Sequence, residues 1–345
     1  MTHVQWEQLK DFVRGVEGPP PAGFIVDSPW LPGWAGVSIL DYLASDDVWL
    51  ASNLRIQERF PEVIFLPGFW MEYGMCTEPS AFGCKCVFPE DEFPYPVGLL
   101  RTAEDIDRLT LPDVRISGFP PLLMKKLALL APRIRDAGHD VYVAVSRGPL
   151  NIASFLMGTT EFLMTLKLDP VRASRLLSVV TDFIHNWLDF QRDCFPSIDG
   201  VLLLDDIVGM LGEDDFLQFA DPYLRRLYAG QDVGVKIFHN DAPCVVSAPY
   251  YARWGVNLYN PGIHSTLEDI LAMTGHTVRI LGTIPPRDVL AQAPASVVRE
   301  AASALVSQHR DCGRLMPSCA GGMPPGVTTD NLDAFLAGVA EGRAG

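Results

Sequence analysis

The sequence predicts a single (β/α)8 barrel spanning residues 1–345, on three observations. Short apolar runs near residues 24, 63, 141, 201, 235, 256, 278 and 314 alternate with segments of helical periodicity. Strand alternating with helix eight times calls for a closed parallel barrel wrapped by helices. A chain of 345 residues with 48% hydrophobic content can bury such a core, and it shows no internal repeat, charge run or low-complexity linker to mark a second domain.

Charge and cysteine usage narrow the function classes. With 42 acidic against 27 basic residues the net charge is −15, which argues against a broad nucleic-acid or anionic-membrane surface. Small molecules and other proteins are the expected partners. No run approaches the roughly 20 apolar residues of a membrane span, and the first residues lack a basic region followed by an apolar one, so a cytoplasmic location is expected. Seven scattered cysteines, an odd count, read as reduced thiols rather than a disulfide framework.

Taken in order, the chain opens with an amphipathic helical extension from Trp6 to Val16, stopped by the prolines of residues 18–23. The first barrel strand follows at residues 24–26. It ends in Asp27, at the position where a barrel strand reaches its active-site end; the residue is read equally as a turn cap and as a substrate contact. Apolar residues recur at helical spacing from Ile39 to Phe60, and Val63 to Leu66 reads as the second strand. Residues 69–97 then carry Phe69, Trp70, Tyr73, Phe82, Phe88, Phe93 and Tyr95 among several Pro and Gly. This is too irregular for one helix and too long for an ordinary connection, so it is expected to enclose substrate over the barrel mouth. Tyr73 and Glu78 within it are candidate site residues; Cys84 and Cys86 read as packing.

Further along, Thr102 caps an acidic helix start. A helix over 122–137 leads to the strand at 141–145 and to Arg147-Gly-Pro149, followed by helical segments over 152–164 and 171–195. Residues 200–206 form the clearest strand, an apolar run ending in Asp205 and Asp206. Adjacent strand residues point opposite ways, so one of the two carboxylates faces the axis, and Asp205 is taken as the candidate. Helices over 216–228, 267–274 and 297–308 separate strands at 235–238, 256–259, 278–281 and 314–318.

Two strand ends carry potential metal ligands. His239 and Asp241 follow one strand, Cys319 ends the last, and parallel strands of one barrel bring such ends to the same face. The His-x-Asp spacing projects both side chains to one side of an extended chain. A catalytic zinc takes three protein ligands from nitrogen, oxygen and sulfur donors and keeps a position open. Read alone, the spacing describes a strand-end histidine hydrogen-bonded by a neighbouring aspartate rather than a metal site. Cys244 is an alternative to Asp241, less well placed after Pro243.

Several segments together resemble the uroporphyrinogen decarboxylase superfamily and, within it, the zinc-dependent, corrinoid-linked methyltransferases. They are residues 80–84 (SAFGC), 147–153 (RGPLNIA), 200–206 (GVLLLDD), 238–241 (FHND), 281–286 (LGTIPP) and 319–331 (CAGGMPPGVTTDN), in family order and over most of the chain. The last is similar to the family's Cys-Gly-x-Pro-Pro-x-Thr-Pro-x-Glu-Asn ending. The resemblance implies a zinc site at His239, position 241 and Cys319, with Glu78 in the open position. Position 241 is Asp where that branch has Cys. A hard carboxylate leaves zinc the stronger Lewis acid, better suited to pulling on an ether oxygen than to holding a thiolate.

The resulting expectation is a methyltransferase that takes a methyl group from an O-methyl donor, such as an aryl methyl ether, and passes it to the Co(I) of a separate corrinoid protein. The chain itself shows no cobalamin-binding segment. Transfer from a methylcorrinoid to a thiol is the main alternative. A uroporphyrinogen decarboxylase-like activity is less favoured, because the Arg-rich N-terminal motif it would bring is missing from residues 27–33. A non-catalytic binding protein on the same fold is the alternative from another class.

Overall fold

A computed structural model describes residues 1–26 and 29–344. The strands are β1 (Ala22–Ile25), β2 (Val63–Leu66), β3 (Lys85–Val87), β4 (Tyr95–Val97), β5 (Val143–Arg147), β6 (Gly200–Leu204), β7 (Val235–Asn240), β8 (Leu258–Pro261), β9 (Arg279–Ile284) and β10 (Leu315–Cys319). All the apolar runs expected to be barrel strands are strands. β5 through β10 form one parallel sheet in chain order, and β1 pairs in parallel with β2. β1 meets the end of β10 through a parallel bridge from Ile25 to Gly322 and a bond from Met323 N to Ile25 O of 2.9 Å.

Between β2 and β5 no ladder is described, and the reason is visible in the side chains. On β5, Val145 exchanges both backbone bonds with the Gln191 amide, at 2.9 Å each, and Arg147 N donates to Glu78 Oε1 at 2.9 Å. On β2, Val63 O accepts from Gln5 Nε2 at 3.0 Å. Buried backbone groups must be paired, and here side chains pair the edge groups that a ladder would otherwise take.

Two apolar layers follow from strand alternation. Ile64, Leu66, Val143, Val145, Leu202, Val235, Ile237, Leu281 and Met316 pack into an inner cluster, and Trp6, Leu9 and Phe12 of the helix His3–Arg14 join it. That helix therefore plugs the N-terminal end of the barrel. Phe65, Ala144, Val201, Leu203, Phe238 and Ile280, of opposite parity, pack instead with the surrounding helices.

The insertion contains the short helix Thr77–Ala81 and the antiparallel hairpin β3–β4, with Lys85 opposite Val97. The hairpin is not among the sequence expectations. Its strands are three residues each and largely open to solvent, so they lack the buried run that betrays a barrel strand. Among the described residues no helix is long and apolar enough to cross a membrane.

Candidate functional site

The carboxyl ends of β6 and β7 build the best-defined polar group in the barrel mouth. His239 pairs with Asn260 across β7 and β8, and the two side chains meet, Nδ1 to Oδ1, at 2.7 Å. The Asn260 amide is oriented by its Nδ2, which donates to Leu281 O at 2.7 Å. Its Oδ1 must then accept, so Nδ1 of His239 carries a proton and Nε2 is the ring atom turned to the mouth. Nε2 lies 3.7 Å from Asp241 Oδ1 and 4.0 Å from Asp206 Oδ1.

Asp206 also fixes the turn, because its Oδ1 accepts from Asp241 N at 2.7 Å. The Asp241 side chain keeps 55% of its surface open, while protein crowds round it. Loss of solvent pushes its carboxyl above the usual carboxylate range, His239 and His264 oppose this, and Asp206 adds to it. The loop after β10 comes close on the other side. Gly321 has φ +66°, and a Cβ there would run into the Asp241 carboxylate, so the position needs a residue without a side chain.

Cys319 stands at the end of β10, two residues before the Gly321 that approaches Asp241. It is fully buried, and its Sγ faces the carbonyls of Gly321 and Gly322 at 3.7 and 3.9 Å. Among the described residues no three His, Cys, Asp or Glu side chains stand together as a metal's ligands. The donor chemistry of His239, Asp241 and Cys319 nonetheless suits zinc, and the His239 tautomer is the one a metal needs, with its other nitrogen tied down. Cys244 is buried with the Tyr259 and Ser265 hydroxyls against its thiol.

The other sequence candidates fall into separate surroundings. Asp205 is completely buried, and its carboxylate accepts from Leu150 N at 2.9 Å and Asn151 N at 3.1 Å, at the start of the helix Pro149–Met157. Burial pushes its carboxyl well above the usual range against the pull of those amides. Gly148 is the residue before that helix, and any Cβ there would strike the same carboxylate. Glu78 is buried against Arg147, bonded to its N, to its Nη1 at 3.3 Å and to Ser146 Oγ at 3.4 Å. Tyr73 takes a bond of 3.1 Å from Lys126 Nζ and sits edge-on to Phe88 and Phe119. Asp27 lies outside the described residues.

Sequence reasoning missed Asp206, Asn260 and the pair Glu72 and Arg147. Arg147 Nη2 meets Glu72 Oε2 at 2.8 Å, and both carboxylates raise its already high pKa against burial. The buried triad lies beneath Phe93 of the insertion, whose ring centre is 6.0 Å from the guanidinium. For Asp206 a signal existed in the alternation of β6: Leu202 faces the axis, so residue 206 shares its parity and residue 205 does not.

Comparison with known proteins agrees with this architecture. Residues 35–342 match the family model described as uroporphyrinogen decarboxylase. The chain is 26% identical over 261 residues to a uroporphyrinogen decarboxylase of Chlorobaculum parvum, 71% of each chain being covered. It is 25% identical over 275 residues to that of Chloroherpeton thalassium, covering 75% of this chain and 74% of the other. Among solved structures it superposes on a methyltransferase from Methanosarcina mazei with a TM-score of 0.80 at 15% identity, covering 97% of both chains.

Proposed function

The chain belongs to the uroporphyrinogen decarboxylase family, and from that premise we propose that it is a zinc-dependent methyltransferase acting at the mouth of the barrel. The donor is an O-methyl compound, an aryl methyl ether being the best fit to the aromatic insertion, and the acceptor is the cobalt of a separate corrinoid protein. The observation that carries this reading is the His239 tautomer: Asn260 holds Nδ1–H and directs Nε2 towards Asp241 and Asp206.

His239, Asp241 and Cys319 would hold the zinc, which when bound supplies Lewis acidity towards the ether oxygen. The protein's own contribution is positioning and a shielded site. Asn260 fixes the imidazole, Asp206 fixes the backbone of Asp241, and Gly321 leaves room for the Asp241 carboxylate. The Glu72–Arg147–Glu78 triad anchors the start of the insertion to β5, so the aromatic cover is tied to the barrel.

The names of the relatives favour a decarboxylase, which makes that the second reading. A polycarboxylate substrate needs clustered cations. The one buried arginine at the end of β5 is already claimed by two carboxylates, and Asp206 and Asp241 add negative charge to the mouth. Both features weigh against it.

Elemental analysis of wild type, His239→Ala and Cys319→Ala tests the proposal. About one zinc per chain is expected in wild type and a loss in both variants. Retention of zinc by Cys319→Ala would remove that residue from the ligand set; absence of zinc from unchelated wild type would end the methyl-transfer reading. With zinc established, methyl ethers and thiols are compared against the same corrinoid protein.

A further inference from the structure

We propose that the N-terminal end of the barrel carries a second binding site, independent of the mouth, for a small organic anion with a compact apolar body. A cavity of about 240 Å³ opens there between Gly18 to Pro20, the end of the helix Ala295–Gln308, the start of β10 and the end of the helix Thr329–Ala344. Its floor is apolar, made by Val306, Leu315 and Pro317. Its rim carries Arg310 and Arg343.

The charge pattern makes this cavity unusual for the chain. The net charge is −15, yet no Asp or Glu lines the cavity. Arg310 Nη2 donates to Gly342 O at 2.7 Å and Arg343 Nη2 to Pro20 O. Neither guanidinium has a carboxylate within ion-pair distance among the described residues, whereas Arg59, Arg172 and Arg299 on other helices each have one. His309, also among the lining residues, is met by Glu268 at 3.4 Å. Elsewhere Arg279 donates to Phe12 O, and burial, with Arg314 second, disfavours its charge.

A guanidinium has five N–H donors in a fixed fork. One on each arginine is spent on a carbonyl, and the carbonyl bonds hold both groups at the rim with donors left for a ligand. A planar carboxylate or a phosphate monoester matches that fork. The volume is below the roughly 300–1,000 Å³ of sites for drug-sized ligands. One ring or a short aliphatic chain with one anionic group is the size that fits.

Calorimetric titration of the full chain with benzoate, phenyl phosphate and, as a neutral control, benzyl alcohol tests the site. At least one of the two anions is expected to bind, and which one does so identifies the headgroup. Benzyl alcohol is expected to give no saturable heat. Arg310→Gln with Arg343→Gln is expected to weaken binding at least tenfold. Gly18→Trp, where a side chain meets nothing within 4 Å, is expected to block the cavity with both arginines intact. Absence of binding by either anion, undiminished binding in the double arginine variant, or binding abolished by His239→Ala would each overturn the proposal. The last result would place the ligand at the mouth instead.

Discussion

At the residue scale the mouth depends on a histidine whose two nitrogens have different duties. Asn260 makes the difference, since a carbonyl oxygen held by its own amide can only accept from Nδ1. Replacing Asn260 with Leu removes that bond and leaves Leu281 O without its donor. Loss of such an outer partner typically lowers metal affinity 10- to 100-fold, so Asn260→Leu is expected to weaken zinc binding by about that factor in a chelator competition. The fold should lose about 1–3 kcal/mol in urea denaturation. Asp241→Cys works in the opposite direction on the metal: a softer donor is expected to tighten zinc while slowing transfer from a methyl ether. A variant with both tighter zinc and faster ether demethylation would contradict the assignment of Asp241 as the acid-strengthening ligand. His239 and Asp241 were legible in the sequence because polar ligand types stand out after an apolar strand. Asp206 was not, and the reason is physical. A strand buried on both faces is apolar at every position, as in Gly200–Leu204, so no polar alternation tells which parity faces the axis.

At the scale of elements, the barrel strands were legible, as was the insertion's place in the chain, and the hairpin inside it was not. Continuous apolar runs bounded by Gly and Pro identify doubly buried strands, and every residue of β1, β2, β5 and β10 is buried. The hairpin β3–β4 carries no such signal, and Glu78, read from the sequence as a candidate ligand in a substrate-enclosing segment, is bonded to the end of β5 through Arg147 and Ser146. Asp205 illustrates the same conversion from chemistry to architecture. It caps the helix Pro149–Met157 from the end of β6 and so fixes where the Arg147-Gly-Pro turn leaves β5. Asp205→Ala leaves two buried amides at a helix start without acceptors. A loss of about 2–3 kcal/mol is expected in urea denaturation, and Asp205→Asn, which keeps one acceptor oxygen, should lose less. Equal loss in both would mean that shape rather than capping sets the cost. Gly321→Ala tests a second joint. The left-handed φ costs a residue with a side chain about 1–2 kcal/mol, and its Cβ would displace the Asp241 carboxylate. Reduced zinc content is expected with the far-ultraviolet circular dichroism unchanged.

At the scale of the whole molecule, the barrel is held shut at its N-terminal end by a helix that sequence periodicity located but could not dock. The contact is made partly through His139, which forms an antiparallel bridge with Thr2 and packs 5.3 Å from the ring centre of Phe69. Its Nδ1 is buried with no hydrogen-bond partner among the described residues. Burial pushes the imidazole pKa down from 6.5 to about 4, assisted by the chain's amino end. The sign of the consequence follows from proton counting. Between pH 6.5 and about 4 the unfolded chain takes up a proton that the folded chain refuses, so stability is complete above 6.5 and falls as the pH drops through that window. The ceiling for such a shift is about 3 kcal/mol. Because the ring is only half-buried, solvent screening reduces the expected loss to about 1–2 kcal/mol. Carboxylates titrate near the lower limit of the same range, so the informative quantity is the difference between wild type and His139→Phe, which keeps an aromatic ring against Phe69 and cannot titrate. Urea midpoints measured at pH 8, 6.5, 5.5 and 4.5 should converge for the two proteins as the pH falls, or cross. If the two curves run parallel over the whole range, His139 is protonated as readily in the folded barrel as in the unfolded chain, and the N-terminal helix is held by its apolar face alone.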